Sequence, residues 1–224
     1  MSKPSVARAV VAEGVGTGLL VACVVGSGIM ALDLSGGNTG LALLANSLAT
    51  AAVLVVLVTS LGPVSGAHFN PAVTLASALT GKLGRGLAVA YVASQVLGGF
   101  LGTTLAHAMF EQALWQHATH ERSGQGQMIG EFVAAFGLMF AIVLTARHRP
   151  SAVAAAVGLY IGSAYWFTSS TSFANPAVTL ARAFSDTFSG IRLIDVPAFV
   201  VAQLVGAYCG ALLAGWLAEE TRPT

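Results

Sequence analysis

The 224-residue sequence contains little charge: Asp, Glu, Lys and Arg together make up 8% of its residues, against about 25% in soluble proteins. The net charge of +1 is too small for the basic surface with which proteins bind nucleic acids. Hydrophobic residues make up 55% of the chain, and the few charges are separated by long apolar runs. This composition excludes a nucleic-acid-binding protein and is typical of a chain that lies in a lipid bilayer.

Cysteines and enzyme motifs are also scarce. The two cysteines, Cys23 and Cys209, lie inside apolar segments, where a free cysteine behaves as a small hydrophobic residue. No spacing of Cys and His suggests a metal site, and we expect neither metal nor cofactor. The sequence has no Gly-x-Ser-x-Gly, His-Glu-x-x-His or Gly-rich phosphate loop, so we expect no enzymatic activity.

Six apolar segments are long enough to cross about 30 Å of hydrocarbon as helices. They lie at residues 7–30, 40–61, 87–110, 128–146, 151–168 and 196–217. Two Gly-rich stretches, 62–83 and 169–193, each contain Asn-Pro and then about ten residues of half-helix, or about half a membrane. We therefore predict an all-α membrane protein with six transmembrane helices plus two half-helices, in which residues 1–224 form a single transmembrane domain.

The second half of the chain repeats the first. Residues 68–75 match 173–180, residues 95–102 match 203–210, and Glu13 matches Glu131. The two repeats, about 7–110 and 128–217, each hold three spans, an odd number, so the second must be inserted upside down. Paired broken segments in inverted halves predict a site at the bilayer midplane.

Both repeats contain an Asn-Pro-Ala motif, at Asn70-Pro71-Ala72 and at Asn175-Pro176-Ala177. Asparagine caps a helix start, and proline is tolerated in the first turn because its missing N–H would be unpaired there. Inversion brings the two helix starts head to head, with their positive dipole ends facing one another. A cation at that point meets a positive potential, whereas a neutral hydroxylated molecule meets hydrogen-bond donors.

The distribution of Lys and Arg predicts the topology. With the N-terminus inside, seven basic residues are cytoplasmic and three are outside. The inside set is Lys3, Arg8, Lys82, Arg85, Arg147, Arg149 and Arg222, and the outside set is Arg122, Arg182 and Arg192. We predict a multi-pass protein of the cell (inner) membrane with both termini in the cytoplasm.

The string Gly-Pro-Val-Ser-Gly-Ala-His-Phe-Asn-Pro-Ala-Val-Thr at 62–74, with the second motif and the repeat, resembles the aquaporin and aquaglyceroporin family over nearly the whole chain. The resemblance implies a passive channel for water and small neutral solutes. It also implies a right-handed bundle that assembles as a homotetramer with one pore in each subunit.

The same resemblance implies roles for residues near the motifs. His68 would line the pore on its cytoplasmic side, and the backbone carbonyls of two loops would form a ladder of acceptors. Those carbonyls belong to Gly66, Ala67 and His68, and to Ser170, Thr171 and Ser172. Glu13 and Glu131 would support these loops by accepting backbone N–H groups at membrane depth. An alternative from another class is a proton-coupled secondary transporter that uses Glu13 and Glu131 as its coupling groups.

The sequence departs from the family at the narrowest point of the pore. The position that usually holds arginine, three residues after Asn175, is Val178. The other filter positions are Thr50, Ser163 and Ser172, with Thr171 as the alternative to Ser172. Small hydroxyls and valine predict a wide filter that passes glycerol, urea and undissociated arsenous acid. This set of filter residues is similar to that of bacterial aquaglyceroporins associated with arsenic resistance. A water-selective pore is the alternative within the family.

Two further features concern the outer half of the pore and the helix contacts. Arg182 lies one helical turn after Val178 and could reach back to the outer mouth; alternatively it pairs with Asp186 or binds surface loop carbonyls. Glycines four residues apart predict close helix crossings. These are the pairs Gly14/Gly18, Gly98/Gly102 and Gly206/Gly210.

Overall fold

The computed structural model describes residues 5–219, which form eight α-helices and no strand. Six are long helices: α1 (Val6–Leu34), α2 (Thr39–Ser65), α4 (Arg85–Met109), α5 (Gln125–His148), α6 (Val153–Phe167) and α8 (Val196–Leu217). Two are half-helices: α3 (Pro71–Leu79) and α7 (Pro176–Arg182). The predicted all-α architecture is confirmed; Lys3 and Arg222 lie outside the described residues.

The long helices form because their sequences are apolar throughout. Within residues 5–219, five helical segments are long and apolar enough to cross a membrane: α1, α2, α4, α5 and α8 with the short turn before it. The predicted fifth span corresponds to α6, which has 15 residues, or about 22 Å of helix. It is shorter than predicted because the 3₁₀ turn Pro150–Ala152 precedes it.

The end of the second span differs from the predicted one. The second span was expected to end at Leu61, before Gly62 and Pro63, but α2 continues to Ser65. Proline removes one intrahelical hydrogen bond without necessarily ending a helix. The helix instead ends at Gly66, whose φ of 89° is in the left-handed region that favours glycine.

Close contacts between glycine-bearing helices hold each half of the bundle together. A Cβ atom at Gly98 or Gly102 of α4 would overlap the carbonyl oxygen of Gly14 or Gly18 of α1, respectively. In the second half, Gly206 and Gly210 of α8 lie equally close to backbone carbonyls of α5. The prediction that these glycines serve helix packing is confirmed.

Candidate solute pore

A cavity of about 220 Å³ runs through the bundle between its two ends. One wall is apolar and comes from α1, α2, α5 and α6, with side chains that include Leu20, Leu54, Leu138, Ile142, Val157 and Ile161. The other wall comes from the two loops that precede the half-helices. The cavity therefore has an apolar side and a polar side along its length.

The two ends of the cavity can be assigned from α4. The His68 ring contacts Tyr91 near the start of α4, at a centroid distance of 5.7 Å. His107, near the end of α4, bonds to Ser185, three residues after Arg182. Tyr91 and His107 are about 24 Å apart along the helix. We call the two ends of the cavity the His68 end and the Arg182 end.

The two Asn-Pro-Ala motifs meet between these ends with near-identical backbone geometry. Asn70 has φ −154° and ψ 116°, and Asn175 has φ −154° and ψ 112°. Each side-chain oxygen caps its own half-helix, accepting from Ala72 N at 2.9 Å and from Ala177 N at 3.0 Å. The caps keep both asparagine side chains fixed at the cavity wall, which both residues line.

The same two asparagines also connect the repeats to each other. Asn70 Nδ2 donates to the carbonyl of Ala174, and Asn175 Nδ2 donates to the carbonyl of Phe69, each at 2.7 Å. Each amide has two N–H bonds, so one remains in each repeat for a molecule in the cavity. This reciprocal arrangement is what an inverted repeat with facing half-helices requires.

The two loops that precede the half-helices contain left-handed backbone conformations. Positive φ values occur at Ala67, Phe69, Ser172 and Ala174, between 48° and 53°. Such conformations are uncommon for residues with a Cβ atom and persist only when surrounding contacts hold them. The loops are thus fixed in a shape that ordinary helix or strand geometry cannot supply.

The predicted lining residues Gly66, Ala67, His68 and Ser172 do border the cavity. Ser170 and Thr171 are not among the lining residues, and we correct that prediction. The carbonyl of Ser170 and the hydroxyl of Thr171 instead accept from Arg122 Nη1, at 3.3 and 3.4 Å. In their place Phe173 and Ala174 line the cavity.

Two fully buried carboxylates hold the loops from behind. Glu13 accepts from His68 N at 2.9 Å, from Phe69 N at 2.7 Å and from Ser65 Oγ at 2.6 Å. Glu131 accepts from Phe173 N and Ala174 N, both at 2.9 Å. Neither carboxylate is among the residues that line the cavity.

A glutamine extends each carboxylate network to the adjacent half-helix. Gln95 Nε2 donates to Glu13 at 2.7 Å and to Thr74 Oγ1 at 2.9 Å. Gln203 Nε2 donates to Glu131 and to Thr179 Oγ1, the latter at 2.8 Å. Gln95 and Gln203 occupy equivalent positions in the sequence repeat. Their contacts with the glutamates were not predicted, because those contacts depend on how α4 and α8 cross the bundle.

Near the Arg182 end the cavity is lined by Thr50, Tyr165, Ser172 and Val178. Thr50 Oγ1 lies 3.1 Å from the Tyr165 hydroxyl, and both residues are buried. The Oγ of Ser172 is buried and has no hydrogen-bond partner among the described residues. The wall here therefore offers hydroxyl groups and one valine.

The prediction that Ser163 belongs to this filter is wrong. Ser163 is exposed, and its hydroxyl donates to the Tyr160 carbonyl at 2.8 Å. Ile161 and Tyr165 are four residues apart and share the face of α6 that lines the cavity, whereas Ser163 lies halfway between them and points to the opposite side. The assignment of Ser163 rested on its spacing from the asparagines. Spacing does not show which face of α6 reaches the lumen, so Tyr165 was missed.

Arg182 lies in the cavity wall rather than at the surface. It is 2% exposed, and its guanidinium is centred 3.3 Å from the Phe173 ring. Arg182 Nε donates to the Ser189 carbonyl. Asp186 does not pair with it, because that carboxylate accepts from Thr119 N and Oγ1 at 2.8 and 2.9 Å. The alternative of an Arg182–Asp186 pair is therefore excluded.

A second arginine, Arg122, was not predicted as part of the site. It comes from the segment between α4 and α5, is 7% exposed, and lies 4.8 Å from the same Phe173 ring. Its Nε donates to the Gly190 carbonyl at 2.8 Å. Burial lowers the pKa of Arg122 to about 10, which leaves it charged at neutral pH. Residue spacing carries no signal for it, because a loop arginine far from both motifs has the pattern of an ordinary surface charge.

Comparisons with known proteins agree with this architecture. The family model described as major intrinsic protein matches residues 1–172 and 146–223. Aquaglyceroporin AqpS of Rhizobium meliloti is 55% identical over 223 residues, covering 100% of this chain and 95% of its own. Probable aquaporin AqpM of Archaeoglobus fulgidus is 31% identical, covering 96% of this chain and 99% of its own.

Among solved structures, the X-ray structure of the aquaglyceroporin from Plasmodium falciparum superposes with a TM-score of 0.68. It is 20% identical, and the match covers 96% of each chain, so this likeness supports the fold. The family model covers both repeats of the chain, and the AqpS match runs from end to end. The chain therefore belongs to the major intrinsic protein family of multi-pass membrane channels.

Proposed function

We propose that the protein is a passive channel for water and for neutral solutes of glycerol size, including urea and undissociated arsenous acid. The observation that carries this proposal is the constriction: valine occupies position 178, and the polar groups around it are the hydroxyls of Thr50, Tyr165 and Ser172. A constriction without a fixed arginine at position 178 leaves more room than water alone needs. The name of AqpS, aquaglyceroporin, agrees with this solute class.

The two unlike walls suit molecules that have hydroxyl groups on one side and carbon on the other. Asn70, Asn175 and the loop carbonyls provide donors and acceptors along one wall. Leu20, Leu138 and Ile161 provide the apolar wall opposite. Glycerol can exchange its water contacts for the polar wall while its carbon backbone faces the apolar wall, so desolvation costs little.

A coupled transporter is disfavoured by the position of the two buried glutamates. Glu13 and Glu131 are 0% exposed, and each binds at least three donors of the protein itself. A coupling group must reach the transport path to exchange a proton, but neither residue lines the cavity. Their hydrogen bonds support a structural role in holding the loops.

We propose that positive charges in the cavity wall exclude cations without narrowing the cavity. Arg182 lines the cavity one turn beyond Val178, and Arg122 lies behind the same Phe173 ring. The facing starts of the two half-helices add a positive potential between the ends. Together these charges replace the repulsion of the arginine that position 178 lacks.

The topology and assembly of the channel are further parts of the proposal. We propose that residues 1–224 form one channel domain in the inner membrane, with both termini in the cytoplasm and the Arg182 end outside. Arg8, Lys82, Arg85 and Arg147 lie at the helix ends near the His68 end, which agrees with the positive-inside rule. We also propose a homotetramer with one pore in each subunit.

Flux measurements in proteoliposomes test the function. Stopped-flow light scattering should show water permeability and, separately, entry of glycerol, urea and arsenous acid. Entry should rise linearly with the solute gradient and should not respond to an imposed pH gradient. Water flux with all three solutes excluded would contradict the wide filter, and saturable flux driven by a pH gradient would favour the transporter.

A further inference from the structure

Two buried arginines at the Arg182 end have no carboxylate partner among the described residues. The guanidinium of Arg182 bonds to the Ser189 carbonyl, and that of Arg122 bonds to Gly190, Ser170 and Thr171. Buried charges in proteins are normally paired with an opposite charge. These two groups lie on one aromatic ring instead, so the site carries a net positive charge.

The acidic residues in the neighbourhood are engaged elsewhere. Asp186 accepts from Thr119, and Asp195 pairs with Arg192 at 3.0 Å while also accepting from the backbone N of Arg122. Glu131 holds the loop behind the cavity. None of these carboxylates forms an ion pair with the guanidinium of Arg182.

Arg182 is the member of the pair that faces the lumen. It lines the cavity, and its Nη1 and Nη2 make no hydrogen bond within residues 5–219. The Phe173 ring, 3.3 Å from the guanidinium, fixes the plane of the group, but a ring carries no net charge. The two terminal nitrogens therefore remain available to a ligand.

A second unpaired group lies in the same cavity. Ser172 is 3% exposed, lines the cavity, and its Oγ has no hydrogen-bond partner in the described part of the chain. A bound molecule can satisfy such a hydroxyl. The terminal nitrogens of Arg182 only donate and the Ser172 hydroxyl can donate, so a ligand with several acceptor oxygens satisfies both.

We propose that Arg182 and Ser172 form a binding site for a small monovalent oxyanion, such as a carboxylate or sulfonate, and that the bound anion blocks the cavity. A guanidinium binds two oxygens of such a group at once, and the charge of Arg122 behind the ring strengthens the attraction. Because a cavity of about 220 Å³ holds few molecules, an anion held in its wall obstructs neutral solutes. The flux readout rests on the proposed channel function, whereas the site itself does not.

Methanesulfonate is the probe, because it is small and permanently ionised and does not cross lipid as a neutral acid. Proteoliposomes of phosphatidylcholine contain either sodium methanesulfonate or sodium gluconate on both sides, at equal concentration. Gluconate, a larger anion, controls for ionic strength. Water and glycerol permeability are measured by stopped-flow light scattering, and the thermal midpoint of the purified protein is measured in the same salts.

We expect methanesulfonate to lower both permeabilities in a saturable way at millimolar concentration and to raise the thermal midpoint, relative to gluconate. Ser172→Ala should weaken both effects several-fold, and Arg182→Lys, which keeps the charge but loses the planar fork, should weaken them about tenfold. Arg85→Gln is the matched control. It removes an exposed arginine at the start of α4, near the His68 end and away from this site, and it should leave both effects unchanged.

The proposal is overturned if methanesulfonate and gluconate act alike in both assays, or if all variants respond as the wild type does. A raised thermal midpoint with unchanged permeability would mean that the bound anion does not block the cavity, and would overturn that part of the proposal. These results differ from failure of the channel function, which would appear as absent solute flux in gluconate alone. Ser172→Ala changes one hydroxyl that has no protein partner, so it keeps the test decisive if Arg182→Lys does not fold.

Discussion

The hydroxyl of Tyr165 lies 3.1 Å from Thr50 Oγ1, so two residues 115 positions apart form one polar edge of the cavity wall. Both are buried and line the cavity. A solute that passes here exchanges a hydrogen bond with either hydroxyl. The pair connects α2 to α6 in the wall of the cavity.

Tyr165→Phe removes one hydroxyl and keeps the ring. We expect glycerol permeability to fall about two- to tenfold, because one hydrogen bond contributes about 0.5–1.5 kcal/mol, while water permeability changes less. Stopped-flow light scattering measures both in the same vesicles.

Two controls separate the filter from the rest of α6. Tyr160→Phe makes the same chemical change at a hydroxyl that donates to the Val133 carbonyl outside the cavity. Ser163→Ala changes the exposed serine that spacing alone assigned to the filter. Both should keep the wild-type ratio of glycerol to water; a loss of glycerol flux in Ser163→Ala alone would contradict the assignment of Tyr165.

Glu13→Gln and Glu131→Gln should reduce the yield of folded protein more than the flux through the protein that folds. One carboxylate oxygen becomes an amide that cannot accept, so buried donors such as Phe69 N lose a charged acceptor. Each such bond contributes about 1.5–3 kcal/mol. Yield is measured by size-exclusion chromatography and flux per folded protein by stopped-flow.

Glu111→Gln, at an exposed position between α4 and α5, is the control for loss of one carboxylate and should fold normally. If Glu13→Gln or Glu131→Gln folds normally but abolishes flux driven by a pH gradient, the transporter interpretation replaces the channel.

Gly210→Ala should destabilise the protein because its Cβ would overlap the carbonyl oxygen of Phe136 on α5. Overpacking of this kind costs about 1–3 kcal/mol. We expect a lower thermal midpoint in detergent. Gly215→Ala, in the same helix with open space around its Cβ, should keep or raise the midpoint; equal losses in both variants would mean that the contact does not matter.

The sequence was sufficient for the parts of the fold that depend on local pattern. Apolar length predicts the long helices, and Asn70 and Asn175 before proline predict the starts of α3 and α7, because capping and the missing N–H are properties of neighbouring residues. The repeat predicted that the two motifs would be related by inversion.

The predictions that failed concern which face of a helix meets the cavity and which residues make contact across the bundle. Ser163 and Tyr165 differ by two residues on α6, and hydropathy does not tell which one faces inward, since the helix is apolar on all sides. Arg122 reaches Phe173 only because the segment between α4 and α5 folds back over the bundle. Neither relationship has a signal in residue spacing.

Arg182→Gln should raise cation leak while neutral-solute flux is kept. The change removes the charge that lines the cavity one turn beyond Val178, and a positive charge on a low-dielectric path repels cations strongly. Sodium conductance in planar bilayers measures the leak. Arg192→Gln, whose arginine lies outside the cavity lining, is the control, and unchanged sodium exclusion in Arg182→Gln would leave Arg182 without a role in charge selection.

The proposed wide filter at Val178 is tested most directly by comparing glycerol and water permeability in wild type and Val178→Arg. An arginine at this buried position of the cavity wall fills space and adds a bulky cation. We expect the wild type to pass both molecules, and Val178→Arg to lose glycerol permeability by about tenfold or more, equivalent to about 1.4 kcal/mol, while most water permeability remains. Equal loss of both in folded protein, or a wild type that passes water and excludes glycerol, would contradict the wide filter.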